Sequence, residues 1–124
     1  MFSLDHNLRY HLCQRYVNMN KGINGLYTIV KNEFPVSPVS GDVFIFFAKN
    51  RCMVKMLRWD GDGFILYQKR LEEGTFEVPV FNPTTGKQEL CWDVLLLIMR
   101  GISTSGLRKR KRFSLDKQKQ YYTM

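Results

Sequence analysis

Three runs of strand-forming residues follow one another between Val43 and Leu71, separated only by tight turns. They read VFIFFAK (43–49), CMVKMLRW (52–59) and FILYQKRL (64–71). Asn50–Arg51 and the tetrapeptide DGDG (60–63) separate them, and both are turn-forming sequences that tolerate the backbone of a sharp reversal. Connections this short join only antiparallel neighbours, because a parallel return needs a dozen or more residues. The middle of the chain is therefore expected to be a meander. A shorter run, TFEV (75–78), follows Glu73–Gly74 and stops at Pro79, offering a fourth strand.

Helical periodicity flanks this block. Ile23, Leu26, Tyr27, Val30 and Phe34 recur at helical spacing. Asn18 or Asn20 is placed to cap the start, and Pro35 ends the helix by removing a donor and disfavouring helical geometry at Phe34. Gly22 and Gly25 in the first turns cost about 1 kcal/mol each relative to alanine, which predicts close packing of a neighbouring strand on the helix. On the other side, residues 89–100 predict a second helix, with Leu90, Val94, Leu97 and Ile98 along one side and Leu95, Leu96 and Met99 widening the stripe. A helix apolar nearly all round is buried on several sides or sits in an interface, and the sequence leaves both open. Arg9–Tyr16 reads as a short edge strand; 35–42 and 79–88 read as loops.

The expected fold class is α+β: an N-terminal helix, a three- to four-stranded antiparallel meander sheet, an apolar C-terminal helix and a basic tail. A chain of 124 residues supports one domain, assigned to 1–102, with 103–124 as a flexible tail. The longest apolar runs, Val43–Ala48 and Val94–Met99, fall far short of the roughly 20 residues of a membrane span. No signal peptide is visible. Cys13, Cys52 and Cys91 are odd in number and widely spaced, which suggests no disulfide framework. They are expected to be small buried hydrophobes in a reducing, cytoplasmic setting.

The net charge of +8 is segregated. Arg108, Lys109, Arg110, Lys111, Arg112, Lys117 and Lys119 face a single acid, Asp116, in the C-terminal segment. Lys49, Arg51, Lys55, Arg58, Lys69 and Arg70 give the middle a second basic concentration. Residues 72–100 run the other way, with Glu72, Glu73, Glu77, Glu89 and Asp93 against Lys87 and Arg100. A run such as RKRKR repels itself and has nothing apolar to offset its ordering. It either aids solubility or binds a polyanion, releasing condensed counterions.

Catalytic constellations are thin. His6 and His11 share no helix face, and DGDG fails as a calcium loop because the required Gly and Glu positions are Ile65 and Leu71. Asp42, Asp60, Asp62 and Asp93 do not promise a convergent two-metal set. No phosphate-cradling glycine loop or nucleophile elbow is present. No cofactor is expected, and the chain is not expected to be an enzyme. In the sheet, alternation places Lys55, Leu57 and Trp59 on one face of their strand and Ile65, Tyr67 and Lys69 on one face of the next. Cations among aromatics suit nucleic acid, although aromatics in strands also simply pack.

The order of these segments is similar to that of a known family. MNKGINGLYTIV, then SGDVFIFFAKNRCMVKMLRWDGDGFILYQKRLEEGTFEVP, then a helix ending LLLIMRGI, resembles the accessory proteins TnpB, encoded by the second open reading frame in the insertion sequence sixty-six family. The most specific stretch runs from Trp59 to Pro79 and includes Trp59, Asp60, Gly61, Gly63 and Gly74. Where family members often read D-M-R-K-G, this chain has Asn18, Met19, Asn20, Lys21 and Gly22. The resemblance implies a small protein encoded beside a larger transposase and needed for efficient transposition, without implying a reaction. The expectation is a non-enzymatic accessory factor that contacts DNA through Arg51, Lys55, Lys69 and Arg70 on the sheet and through Arg108, Lys109, Arg110, Lys111 and Arg112 on the tail. The alternative is an adaptor that docks on the transposase through the apolar helix, without direct DNA binding.

Overall fold

VFIFF forms the centre of the molecule because every one of its side chains can be buried. Strand β2 (Val43–Phe47) is the middle of a five-stranded sheet, and all five of its residues are buried. A strand apolar on both faces needs a layer on each side. The computed structural model, which describes residues 4–81, 89–102 and 111–113, supplies one helix to each face.

The remaining strands are β1 (Tyr10–Leu12), β3 (Met53–Trp59), β4 (Phe64–Arg70) and β5 (Glu89–Leu90), in the order β4-β3-β2-β1-β5. The meander β2–β3–β4 is antiparallel as expected, with Phe46 opposite Lys55 and Lys55 opposite Gln68. The Asn50–Arg51 reversal places Arg51 at φ 60, and Arg51 N donates to the Ala48 carbonyl at 2.9 Å. The DGDG reversal is closed by Asp60 N donating to the Gly63 carbonyl at 2.8 Å, with Gly61 at φ 84.

The sheet departs from a pure meander at its other side. β1 pairs parallel with β2, Tyr10 opposite Val43, and β5 pairs antiparallel with β1, Tyr10 opposite Leu90. The sheet is therefore mixed. The first helix, α1 (Ile23–Glu33), is the crossover that a parallel β1–β2 pair requires. TFEV adds no strand. Phe76 N donates to the Arg51 carbonyl at 2.7 Å, and its ring is fully buried against Phe47. The second helix, α2, spans Trp92–Arg100; Glu89–Leu90, expected at its start, pair with β1 instead.

Two cores result. Leu26, Ile29 and Val30 of α1, with Phe34 just past its end, pack with Phe44, Phe46 and Leu57 on one face. Leu95, Ile98 and Met99 of α2 pack with Val43, Ile45, Phe47, Val54 and Met56 on the other. The apolar breadth of α2 thus serves the domain's own core. Neither asparagine caps α1: its N-cap is Gly22, with no side-chain cap, while Asn18 Oδ1 accepts from Asn20 N at 2.8 Å. No strand presses on the glycines either. A Cβ at Gly22 would meet nothing within 4 Å, and the atoms nearest to one at Gly25 belong to the Lys21 side chain. Phe34 leaves the helix in extended geometry ahead of Pro35, as expected.

Cys13 is buried, Cys52 half-buried and Cys91 exposed, so the expectation of three buried thiols holds at Cys13, holds only in part at Cys52 and fails at Cys91, the extended residue that precedes α2. Among the described residues no helix is long and apolar enough to cross a membrane. Lys111–Phe113, assigned to the tail, lie against the body, with the Arg112 guanidinium over the Phe76 ring at 5.3 Å. Arg108, Lys109 and Arg110, with residues 114–124, lie outside the described residues.

Candidate nucleic-acid interface

The strand registers sort the charges by their position along the sheet. Met53 pairs with Arg70, so the β2–β3 turn and the C-terminal end of β4 share one end. Lys49, Arg51, Lys69 and Arg70 gather there, all exposed. Helix α2 runs toward the same end, since Lys69 Nζ donates to the Met99 carbonyl at 3.4 Å. That brings Arg100 to the group, together with Lys111 and Arg112. The opposite end, where β1 and β2 begin and β3 turns into β4, carries Asp5, Asp42, Asp60 and Asp62, with Arg9 and Arg58 among them. The sheet therefore has a cationic end and an acidic end.

At the cationic end, Lys69, Arg70, Arg100 and Arg112 line a cleft of about 630 Å³ with Met99 and Phe113. Glu72 and Glu73 also line it, and each is paired: Arg70 Nη2 lies 3.4 Å from Glu72 Oε1, and Lys111 Nζ lies 3.2 Å from Glu73 Oε1. A helix C-terminus carries partial negative charge and would repel a phosphate. Here cations sit on its last carbonyls. Lys69 donates to Met99 O, and Arg112 Nη2 donates to Ile98 O at 3.3 Å. Gly101 and Ile102 close the helix by donating to Ile98 O and Leu97 O, the paired bonds of a Schellman stop. Arg112 Nη1 also donates to the Thr75 carbonyl at 3.0 Å, which anchors Lys111–Phe113 at the cleft wall.

Gly74 lets that segment lie so close. Its φ is +81, and a Cβ there would collide with the Lys111 carbonyl. Of the other motif residues, Trp59 packs edge-on against Phe64, its partner across the strands, at 5.0 Å. Asp60, Gly61 and Gly63 form the hairpin turn at the acidic end.

Lys55 is not with the other cations. It is 6% exposed, and its ammonium donates to the carbonyls of Met19 at 2.8 Å and Lys21 at 2.9 Å. The register also sends it to the α1 face while Lys69 lies on the α2 face, since Val54 and not Lys55 opposes Lys69. A lysine committed to two backbone carbonyls inside the fold is a structural tie between β3 and the approach to α1. Arg100 was not singled out by its sequence, because it belongs to the acidic stretch. The available signal was its place in the last helical turn before a stop glycine.

Chemistry at the acidic end is limited. His11 Nε2 and Asp42 Oδ2 are 2.8 Å apart, with the imidazole stacked on Phe44 and 7% exposed. Among the described residues no three His, Cys, Asp or Glu side chains gather as a metal set.

The family described as "IS66 Orf2 like protein" matches residues 8–109, which include every strand and both helices. The chain belongs to the IS66 Orf2-like family. It is similar to y4jC, an uncharacterized protein of Sinorhizobium fredii (strain NBRC 101917 / NGR234), 35% identical over 111 residues, covering 89% of this chain and 92% of the relative. It is also similar to y4hO of the same strain, 29% identical over 73 residues, 59% of this chain and 64% of the relative. No solved structure matches it. Membership of the IS66 Orf2-like family associates the chain with transposition of an insertion sequence, in an accessory role. The family is not a known catalytic one.

Proposed function

We propose that this IS66 Orf2-like protein assists transposition by holding DNA through its phosphates at the cationic end of the sheet, with no bond made or broken by its own side chains. One observation carries the reading: cations from β4, α2 and the 111–113 segment converge on one cleft, away from most of the aspartates. Lys69, Arg70 and Arg100 are the contacts assigned to the folded body, Arg51 and Lys49 extend the surface across the neighbouring turn, Lys111 joins them, and the basic run Arg108, Lys109 and Arg110 supplies further cations by sequence alone. Arg112 anchors. Lys55 takes no part, because its ammonium is buried on carbonyls.

Phosphate contacts fix position without reading bases, so this surface recognises DNA of any sequence. Engaging about five phosphates gives a slope of log affinity against log salt near −4 to −5. Anisotropy titrations of a labelled duplex across a salt series test this. DNA binding with that slope supports the reading, and an absence of salt-sensitive binding overturns it.

The adaptor reading has less surface to work with. Leu95 and Met99, two of the residues it relies on, are core residues at 0% and 7% exposure. Docking on a transposase through α2 is left with half-buried side chains such as Val94, Leu96 and Leu97.

A further inference from the structure

β4 is an edge strand, and among the described residues nothing pairs with its outer side. Its hydrogen-bonding direction follows from the two ends of the hairpin. Asp60 bonds with Gly63, and Leu71 N donates to Cys52 O at 2.7 Å, so Ile65, Tyr67 and Lys69 turn their backbone groups toward β3. Phe64, Leu66, Gln68 and Arg70 turn theirs outward. Four apolar residues, Phe64–Tyr67, occupy this edge and are only half-buried. A seven-residue edge with an apolar half is a template for a further strand.

Charge selects the strand that fits. Asp62 stands at one end of β4, and Lys69 and Arg70 at the other, all exposed. A copy of β4 laid antiparallel sets the acid of each chain against the cations of the other, whereas a parallel copy in register sets like on like. Centring the two-fold axis on Tyr67 would oppose Asp62 to the partner's Glu72, two acids. Centring it on Leu66 opposes Asp62 to the partner's Arg70 and Phe64 to the partner's Gln68. Both registers place outward-facing residues opposite one another, as the ladder demands, so the charges decide between them.

We propose that two copies of this chain associate through β4, antiparallel about Leu66, into one continuous sheet with a two-fold axis. The inference stands apart from DNA binding and is tested without DNA. Sedimentation equilibrium of the full chain is expected to show a concentration-dependent dimer. Asp62→Lys and Arg70→Glu, each placing like charges opposite one another twice per dimer, are expected to weaken it roughly ten-fold, and combining them restores it. In a Cys91→Ser background, Leu66→Cys is expected to oxidise to a disulfide-linked dimer, because directly opposed residues of this kind lie about 5.5 Å apart, within disulfide reach. A monomer at every concentration, a dimer indifferent to both charge variants, or an absence of the cross-link overturns the proposal.

Discussion

The Lys55 ammonium lies 2.8 Å from the Met19 carbonyl oxygen, to which it donates across the gap between β3 and the approach to α1. A charge in that position is part of the fold's internal wiring. Lys55→Met removes the donor from two part-buried carbonyls and is expected to lower unfolding stability by about 1–3 kcal/mol. Urea titration measures that loss. The salt slope of DNA binding by the folded variant stays at the wild-type value.

Arg100 makes the opposite prediction. It is exposed at the end of α2 and contributes nothing buried to the core. Arg100→Glu is expected to leave the urea midpoint close to wild type, weaken duplex binding, and reduce the magnitude of the salt slope by about 1, because one phosphate then keeps its counterions. Arg15→Gln serves as the contrasting variant: its guanidinium is held by Glu33 at 2.7 Å, and its removal is expected to leave the slope unchanged.

Gly74 and Gly63 separate backbone demand from mere turn composition. Gly74→Ala forces a side chain into left-handed geometry and onto the Lys111 carbonyl. The backbone strain alone is about 1–2 kcal/mol. Trypsin is expected to cleave after Lys111 and Arg112 faster than in the wild type, as the anchor loosens. Gly63→Ala meets nothing within 4 Å and is expected to be near neutral in both assays.

Tyr10 sets an alkaline limit. Burial, reinforced by the nearby Asp5 carboxylate, pushes its phenol from 10.0 to about 12. The unfolded chain releases this proton near pH 10, while the folded chain holds it. The contribution to stability is therefore whole below pH 10 and disappears as pH rises to about 12, a loss of about 2–3 kcal/mol. Tyr10→Phe starts lower, without the 2.7 Å bond to the Asp5 carbonyl, and is expected to flatten that part of the stability profile. Absorbance titration of tyrosinate with parallel unfolding curves measures both effects.

The meander was legible because its information is local. Turn residues and strand residues alternate between Val43 and Arg70, and each hairpin needs only its own sequence. β1 was legible as a strand within Arg9–Tyr16 but not as an interior one, and β5 was not legible at all, since strands of three and two residues show no period and owe their pairing to distant partners. The same limit misplaced Lys55. Alternation assigns side chains to the faces of one strand, but which face of the next strand they share depends on register, and the DGDG turn sets Lys55 against Gln68. The cleft needed three dimensions, because Arg100 and Arg112 reach Lys69 only once α2 has crossed the sheet from its acidic end.

The placement of β1 between β2 and β5 has a consequence for how the molecule is made. Tyr10 is among the first described residues to leave the ribosome, yet its outer partner, Leu90, comes much later. Until that segment has emerged, β1 holds an open edge and the α2 side of the sheet is bare. A nascent chain stalled after the hairpins is thus expected to be the aggregation-prone species, and a chaperone acting on it would have most to shield on the face that α2 later covers.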